Sequence, residues 1–216
     1  MNTINLTIDG VEVKTKRDTM VLKAAQEAGI YIPTLCAHSD LPSSLGMCRL
    51  CVVEIEGRGF PTSCLTPAAE GMVVHTNTLQ VQEIRRHNLR VILSPLPPPR
   101  LKRAELQRLA EYIGVKEEEL GPYTPQNLPI DKDELEGKLL LTLDHNLCLV
   151  CGRCIQACKE IQKVGAIDFV TRDGKIRIGP PRASSFKQAG CKFCGACVRI
   201  CPTGAFALKK LRLKEQ

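Results

Sequence analysis

The sequence predicts an α+β protein made of two small domains and a helical connection between them, and three observations carry that expectation. Near the N-terminus Ile4, Leu6 and Ile8 alternate with polar residues, Asp9-Gly10 follows, and Val11 and Val13 alternate again, which is the pattern of a β-hairpin. Behind it Val21, Leu22, Ala25 and Ala28 share one face of a helix, with Thr19 as its candidate cap and Gly29 as its stop. Near the C-terminus one cysteine pattern occurs twice, and 216 residues leave room for two modest cores.

The repeated pattern reads C-L-V-C-G-R-C-I-Q-A-C from residue 148 and C-K-F-C-G-A-C-V-R-I-C-P from residue 191. Both are C-x(2)-C-x(2)-C-x(3)-C. That spacing wraps three thiolates around one cubane and points the fourth away, so two runs complete two sites by exchange. Cys148, Cys151, Cys154 and Cys201 are the expected ligands of one [4Fe-4S] cluster, and Cys158, Cys191, Cys194 and Cys197 of the other. A structural zinc site needs two C-x(2)-C pairs and has no use for a third cysteine followed by x(3)-C. Disulfides belong to small secreted domains, and no charged-then-apolar signal segment opens this chain. With its closing Cys201-Pro202-Thr203-Gly204-Ala205, the segment resembles a bacterial-type two-cluster ferredoxin domain. It departs from that pattern at Lys159, which stands where such domains usually carry proline and adds a positive charge near one cluster. Between the runs, Ala166–Val170 and Lys175–Ile178 flank Arg172-Asp173-Gly174 and predict a second hairpin, followed by a loop at Pro180-Pro181.

The other four cysteines, Cys36, Cys48, Cys51 and Cys64, are spaced C-x(11)-C-x(2)-C-x(12)-C. By spacing alone they suit a four-cysteine zinc site or a [2Fe-2S] cluster. The surrounding residues separate the two. Y-I-P-T-L-C-A-H-S-D-L from Tyr31, G-M-C-R-L-C-V-V-E-I-E-G from Gly46 and T-S-C-L-T-P-A from Thr62 resemble one family. It is the [2Fe-2S] module that opens the large iron–sulfur chain of respiratory NADH dehydrogenases and the small diaphorase iron–sulfur subunit of NAD(P)-linked hydrogenases, electron-bifurcating ones included. The resemblance implies a β-grasp fold, with strands over Leu50–Ile55 and Val73–Thr76, and a [2Fe-2S] cluster on these four cysteines. His38 follows Cys36 by two residues, but four thiolates already fill the shell; His75, His87 and His145 read as structural or solvated.

A helix is expected from Asn77 to Leu93 with Arg85, Arg86 and Arg90 on its wet face, running into Pro95-Leu96-Pro97-Pro98-Pro99-Arg100 as a stiff, extended spacer. In the resembling family this helix leads to H-x(3)-C-x(2)-C-x(5)-C, which holds a further [4Fe-4S] cluster. Here no cysteine lies between Cys64 and Cys148 and no histidine between His87 and His145, so that cluster is not expected. Leu101–Ile113 is amphipathic, with Gly114 as a stop, and is expected to pack beneath the place where that cluster would lie. Val115–Lys138 is rich in charge, proline and glycine and reads as a connection. The domains are accordingly residues 1–76, a [2Fe-2S] β-grasp domain; 77–138, a helical and proline-rich connecting region; and 139–216, a two-[4Fe-4S] ferredoxin-like domain. Lys209–Lys214 alternates basic residues with leucine and suggests a short terminal element.

The formal charge of +7 counts every cysteine as neutral. An oxidised cluster with four thiolates carries roughly −2, so three of them offset most of the excess, and no nucleic-acid partner is expected. No apolar run is long enough to span a membrane. Twelve cysteines without a secretion signal suit a reducing compartment, hence the cytoplasm. There is no Gly-rich dinucleotide fingerprint after a strand and no conspicuous nucleophile–base set, so the chain is not expected to be catalytic alone. The resemblance implies an electron-transfer subunit of a hetero-oligomer, between a flavin-bearing NAD(P)H-oxidising subunit and a hydrogenase catalytic subunit or ferredoxin. The equivalent subunit of a formate dehydrogenase or transhydrogenase complex, or a stand-alone redox carrier or sensor, is the alternative.

Overall fold

The computed structural model describes residues 3–210. Strands β1 (Thr3–Ile8) and β2 (Val11–Lys16) pair antiparallel with Ile8 opposite Val11. Both turn residues, Asp9 and Gly10, take positive φ as a two-residue hairpin requires. Ile4, Leu6 and Ile8 all face inward. Helix α1 (Val21–Glu27) starts from Met20, whose side chain makes no cap, so Thr19 is not the cap. Thr19 is held otherwise: its carbonyl accepts the Ala68 N–H, beside the Met20–Pro67 bridge. Strand β3 (Glu54–Ile55) pairs antiparallel with β4 (Val73–His75), which runs parallel to β1, giving the order β2-β1-β4-β3. Val21, Leu22, Ala24 and Ala25 of α1 pack on one face of this sheet, a β-grasp arrangement. The strand expected over Leu50–Ile55 is only two residues long, because the chain leaving Cys48 turns through Arg49 at φ 54° before it reaches the sheet. Thr76, expected in the next strand, instead gives its N–H and hydroxyl to the Asp9 carboxylate.

Helix α2 (Leu79–Leu93) is capped by Thr78, whose hydroxyl accepts the Val81 N–H, and α3 (Ala104–Ile113) ends on Gly114 in the left-handed conformation. Arg85 does not lie on a wet face. It shares the inward stripe with Val81, Leu89 and Leu93, is 2% exposed, and donates Nη2 to the Val52 carbonyl at 2.7 Å. The proline run does not extend either, but bends back on itself. Arg100, itself buried, donates to the carbonyls of Leu96 and Gly121, and Glu117 accepts the N–H groups of Arg100 and Leu101. With these ties the two helices become a packing layer. Leu89 and Leu93 of α2 and Leu106, Leu109, Ala110 and Ile113 of α3 share one core with Leu35, Cys36, Cys48 and Leu50. Leu149 and Cys151 close it from the other side.

Past the layer, β5 (Ile130–Leu135), β6 (Leu139–Asp144) and β9 (Phe206–Lys210) form an antiparallel sheet in the order β5-β6-β9. Strand β5 lies in the stretch read as connection. Its residues Asp131-Lys132-Asp133-Glu134 carry no alternating apolar signal, as suits an edge strand protected by charge. Lys209 and Lys210 end β9, and the rest of the expected tail element, Leu211–Lys214, lies outside the described residues. Strands β7 (Asp168–Arg172) and β8 (Lys175–Gly179) make the hairpin expected around Asp173-Gly174. Helices α4 (Arg153–Gln156), continued as a π-turn through Ile161, and α5 (Ala196–Ile200) pack with the sheets around Phe186 and Phe206, whose rings meet edge-on at 5.7 Å. Among the described residues no helix is long and apolar enough to cross a membrane.

The middle layer makes a direct prediction. Leu89 is fully buried and Leu→Ala at such a site costs about 2–5 kcal/mol. Val91, two residues on, is 58% exposed, and Val91→Ala should stay within about 0.5 kcal/mol. Anaerobic denaturation of the two variants side by side checks it; equal effects would contradict the layer.

Candidate metal centres

Cys36, Cys48, Cys51 and Cys64 come together on the loops that the middle layer and the β-grasp core support from two sides, and all four are buried. Hydrogen bonds from the Cys48 and Cys64 thiols hold Cys36 well below the usual thiol range, and the same contacts push Cys48 and Cys64 up. A bond from Cys64 likewise lowers Cys51. Cys36 and Cys51 are thus the readier thiolates, while Cys48 and Cys64 keep their protons until a metal displaces them. Backbone donors work against this at Cys48: the Leu35 N–H reaches Cys48 Sγ at 3.4 Å, and the Leu50 N–H also bonds that sulfur. Ser44 Oγ lies 3.4 Å from Cys36 Sγ. His38 is turned aside, its Nδ1 accepting the Asp40 N–H.

The two later runs begin alike. Val150 and Phe193 both take φ 52°, and Gly152 and Gly195 follow at φ 79° and 75° as the residues that start α4 and α5. A left-handed residue is costly for a β-branched side chain, on the order of 1–3 kcal/mol. What it does here is turn successive N–H groups inward, the concave arrangement that suits an anion. Val150 N–H bonds Cys148, Arg153 N–H bonds Cys151, and Phe193 N–H reaches Cys191 Sγ at 3.4 Å.

Thiols of the two runs lie near one another. Burial raises the Cys154 thiol well above the usual range, and the charges of Cys151, Cys148, Cys201 and Cys197 raise it further; Cys148, Cys151, Cys154 and Cys201 line one small cavity with Leu149, Gly152, Ile178 and Phe206. Cys197 is acted on by Cys191, Cys194 and Cys158. Burial pushes the Cys148 and Cys197 thiols up to about 12 and Cys151 to about 11, so binding a metal there releases protons. Thiols ranged around a cavity, with backbone N–H groups aimed at them, fit a polynuclear cluster.

The first set and the first run lie on one core. The charge of Cys36 reaches Cys151, and both belong to the middle core. Arg153 donates Nη2 to the carbonyl of Ala37, next to Cys36, and Ser43 Oγ meets Gln156 Oε1. Leu45 lies so close to Gly152 that a Cβ there would stand 2.5 Å from its Cδ1. Nothing in the sequence marks Arg153, and Arg85 reads there as surface charge, since neither spacing nor periodicity distinguishes a buried arginine from an exposed one. His75 pairs with Glu56 at the surface, His87 is exposed, and His145 is buried against Asp131 at 3.0 Å.

Gly152 tests the arrangement, being left-handed and overhung by Leu45, whereas Gly174 has equal φ freedom and open space around it. Gly152→Ala should lower bound iron or disturb one cluster signal in electron paramagnetic resonance, and Gly174→Ala should not. Identical iron content and spectra in both would refute the tight fit at residue 152.

Comparison with known proteins agrees with this architecture. Residues 1–79 match the model of a 2Fe-2S iron-sulfur cluster binding domain and residues 147–205 that of a 4Fe-4S dicluster domain. The NADP-reducing hydrogenase subunit HndD of Solidesulfovibrio fructosivorans is 34% identical over 95% of the chain. An NADH-quinone oxidoreductase chain of Rhizobium meliloti is 36% identical over 99%. The chain spans 36% and 25% of the lengths of these two relatives. Among solved structures, a chain of an NAD+-reducing [NiFe]-hydrogenase in the H2-reduced state superimposes with a TM-score of 0.77 at 29% identity, covering 96% of this chain and 87% of its own. The chain joins a 2Fe-2S iron-sulfur cluster binding domain to a 4Fe-4S dicluster domain, and over nearly its whole length it is similar to chains of NAD(P)-linked hydrogenases and of an NADH-quinone oxidoreductase.

Proposed function

We propose that this chain conducts electrons between a flavin-bearing, NAD(P)H-oxidising partner and a hydrogenase catalytic partner or ferredoxin, as one member of a cytoplasmic hetero-oligomer. Cys36, Cys48, Cys51 and Cys64 hold a [2Fe-2S] cluster in this reading. Cys148, Cys151, Cys154 and Cys201 hold one [4Fe-4S] cluster, and Cys158, Cys191, Cys194 and Cys197 the other. Each cluster, when bound, supplies one-electron chemistry. The protein's part is to fix the sets beside one another, keep water from them and expose the two ends.

The observation that carries this reading is the shared core of Cys36 and Cys151, which makes a path through the chain contiguous. Tunnelling falls off exponentially with distance, so a relay needs its sites held close together. At one end Met47 and Leu65 stand exposed around the first cysteine loops, apolar surface suited to a partner. At the other, Cys194 is the one exposed cysteine of the twelve. The [2Fe-2S] end therefore faces the flavin-bearing partner and the Cys194 end the catalytic partner or ferredoxin. The hydrogenase reading is favoured over formate dehydrogenase or transhydrogenase by the matches to hydrogenase chains over nearly the whole length.

Cys158→Ser tests the crossed ligand sets. Wild-type chain should carry about 10 iron atoms, from one two-iron and two four-iron clusters. The resonance signal lost in Cys158→Ser should be the one lost in Cys194→Ser; if it is the one lost in Cys151→Ser, the crossing is wrong.

Conduction without catalysis has its own test. NADH or NADPH added to the isolated holo-chain should leave its visible absorption unchanged, and should bleach it once the flavoprotein partner is added. Bleaching of the isolated chain overturns the reading.

A further inference from the structure

The two cysteine runs share the backbone of their first turns, and one of the buried positions at which they differ carries a charge. Between the second and third cysteines the first run carries Gly152-Arg153 and the second Gly195-Ala196. Arg153 is 2% exposed, and its guanidinium makes two contacts: Nη2 donates to Glu105 Oε1 at 2.6 Å and to the Ala37 carbonyl at 3.2 Å. Nε and Nη1 are buried without a protein partner among the described residues. A buried guanidinium left half-satisfied is costly, and Glu105, 38% exposed, is a weak counter-charge. The Cys151 thiol on its own loop feels this charge, and Cys36 precedes Ala37, whose carbonyl the arginine holds. Burial raises the Cys151 thiol, and the Arg153 amide and charge draw it back down. The arginine is therefore a fixed positive charge set between two anionic sites and absent from the third.

We infer that Arg153 is a potential-setting residue, whose buried charge favours the reduced form of the cluster on Cys148, Cys151, Cys154 and Cys201 and so makes it easier to reduce than Ala196 would allow. This rests on the ligand sets proposed above. Reduction adds one negative charge to the cluster; a fixed cation nearby stabilises that charge, more strongly in a poorly solvated site than in water. Glu105 works against it by neutralising part of the cation. The internal duplication thus holds two like clusters at unlike potentials, the one next to the [2Fe-2S] site raised. Arg153 also ties α4 to α3 and to the Ala37 loop, so a purely structural role must be told apart from an electrostatic one.

An anaerobic redox titration of the holo-chain, followed by electron paramagnetic resonance, separates them. In Arg153→Ala the ratio of reduced to oxidised cluster at fixed potential should fall about tenfold for the Cys148 set, about 59 mV for one electron, with the Cys158 set unmoved. Arg153→Lys should restore most of it, and Glu105→Gln should shift the same cluster the opposite way. An unmoved potential in Arg153→Ala with iron intact overturns the inference. So does a Glu105→Gln shift that is absent or in the same direction as that of Arg153→Ala. If Arg153→Ala loses iron, Arg153→Lys and Glu105→Gln still decide. Failure of the ligand sets themselves would look different: the titrated signal would survive in Cys151→Ser.

Discussion

A layer of leucines between two cysteine loops is what the rest of the chain depends on. Leu35 and Leu50 approach it from the β-grasp side, Leu149 from the dicluster side, and Leu89, Leu93, Leu106 and Leu109 fill the middle. Each such side chain contributes roughly 1.5–3 kcal/mol by leaving water. Because Cys36, Cys48 and Cys151 are members of the same core, the separation of two redox sites is fixed by close packing and not by the length of a linker. Arg100, pinned to Leu96, Gly121 and Glu117, performs the matching task at the proline run, folding it into the layer instead of letting it hold the domains apart.

Charge is the second constraint. Twelve thiols, eleven of them buried or half-buried, form a chain interior that favours protonation wherever desolvation dominates, as at Cys148, Cys154 and Cys197. Only donors aimed at the sulfurs and cations nearby let such groups ionise. The chain supplies both locally, through N–H groups turned by Arg49, Val150 and Phe193 and through the buried guanidiniums of Arg85 and Arg153. The formal excess of positive charge thus reads as an internal counterweight to clusters more than as a surface for an acidic partner.

The hairpins at Asp9-Gly10 and Asp173-Gly174 were legible because turn chemistry and alternation agree there. Less was legible where tertiary contacts override local pattern. Thr19 looks like a cap, but its backbone is taken by Ala68, and a six-residue strand shrinks to Glu54–Ile55 because a cysteine loop consumes its start. Arg85 reads as surface charge until Val52 is found beneath it. The proline run reads as a rod until Arg100 is seen bending it, and β5 hides behind its own charges. In each case the missing information is a partner far away in sequence.

The duplication shows how far local rules go and where they stop. Val150 and Phe193 adopt the same strained φ although one is β-branched and the other aromatic, so the spacing of cysteines and glycines dictates the backbone and the intervening side chains follow. What those side chains meet then differs. Gly152 lies under Leu45 of the other domain, while Gly195 faces only Leu208 of its own. Cys151 is drawn into the middle core, while its counterpart Cys194 is exposed. One motif, copied, therefore produces an inward-facing site and an outward-facing one. The direction through the molecule comes from the leucine layer covering the first copy and leaving the second open.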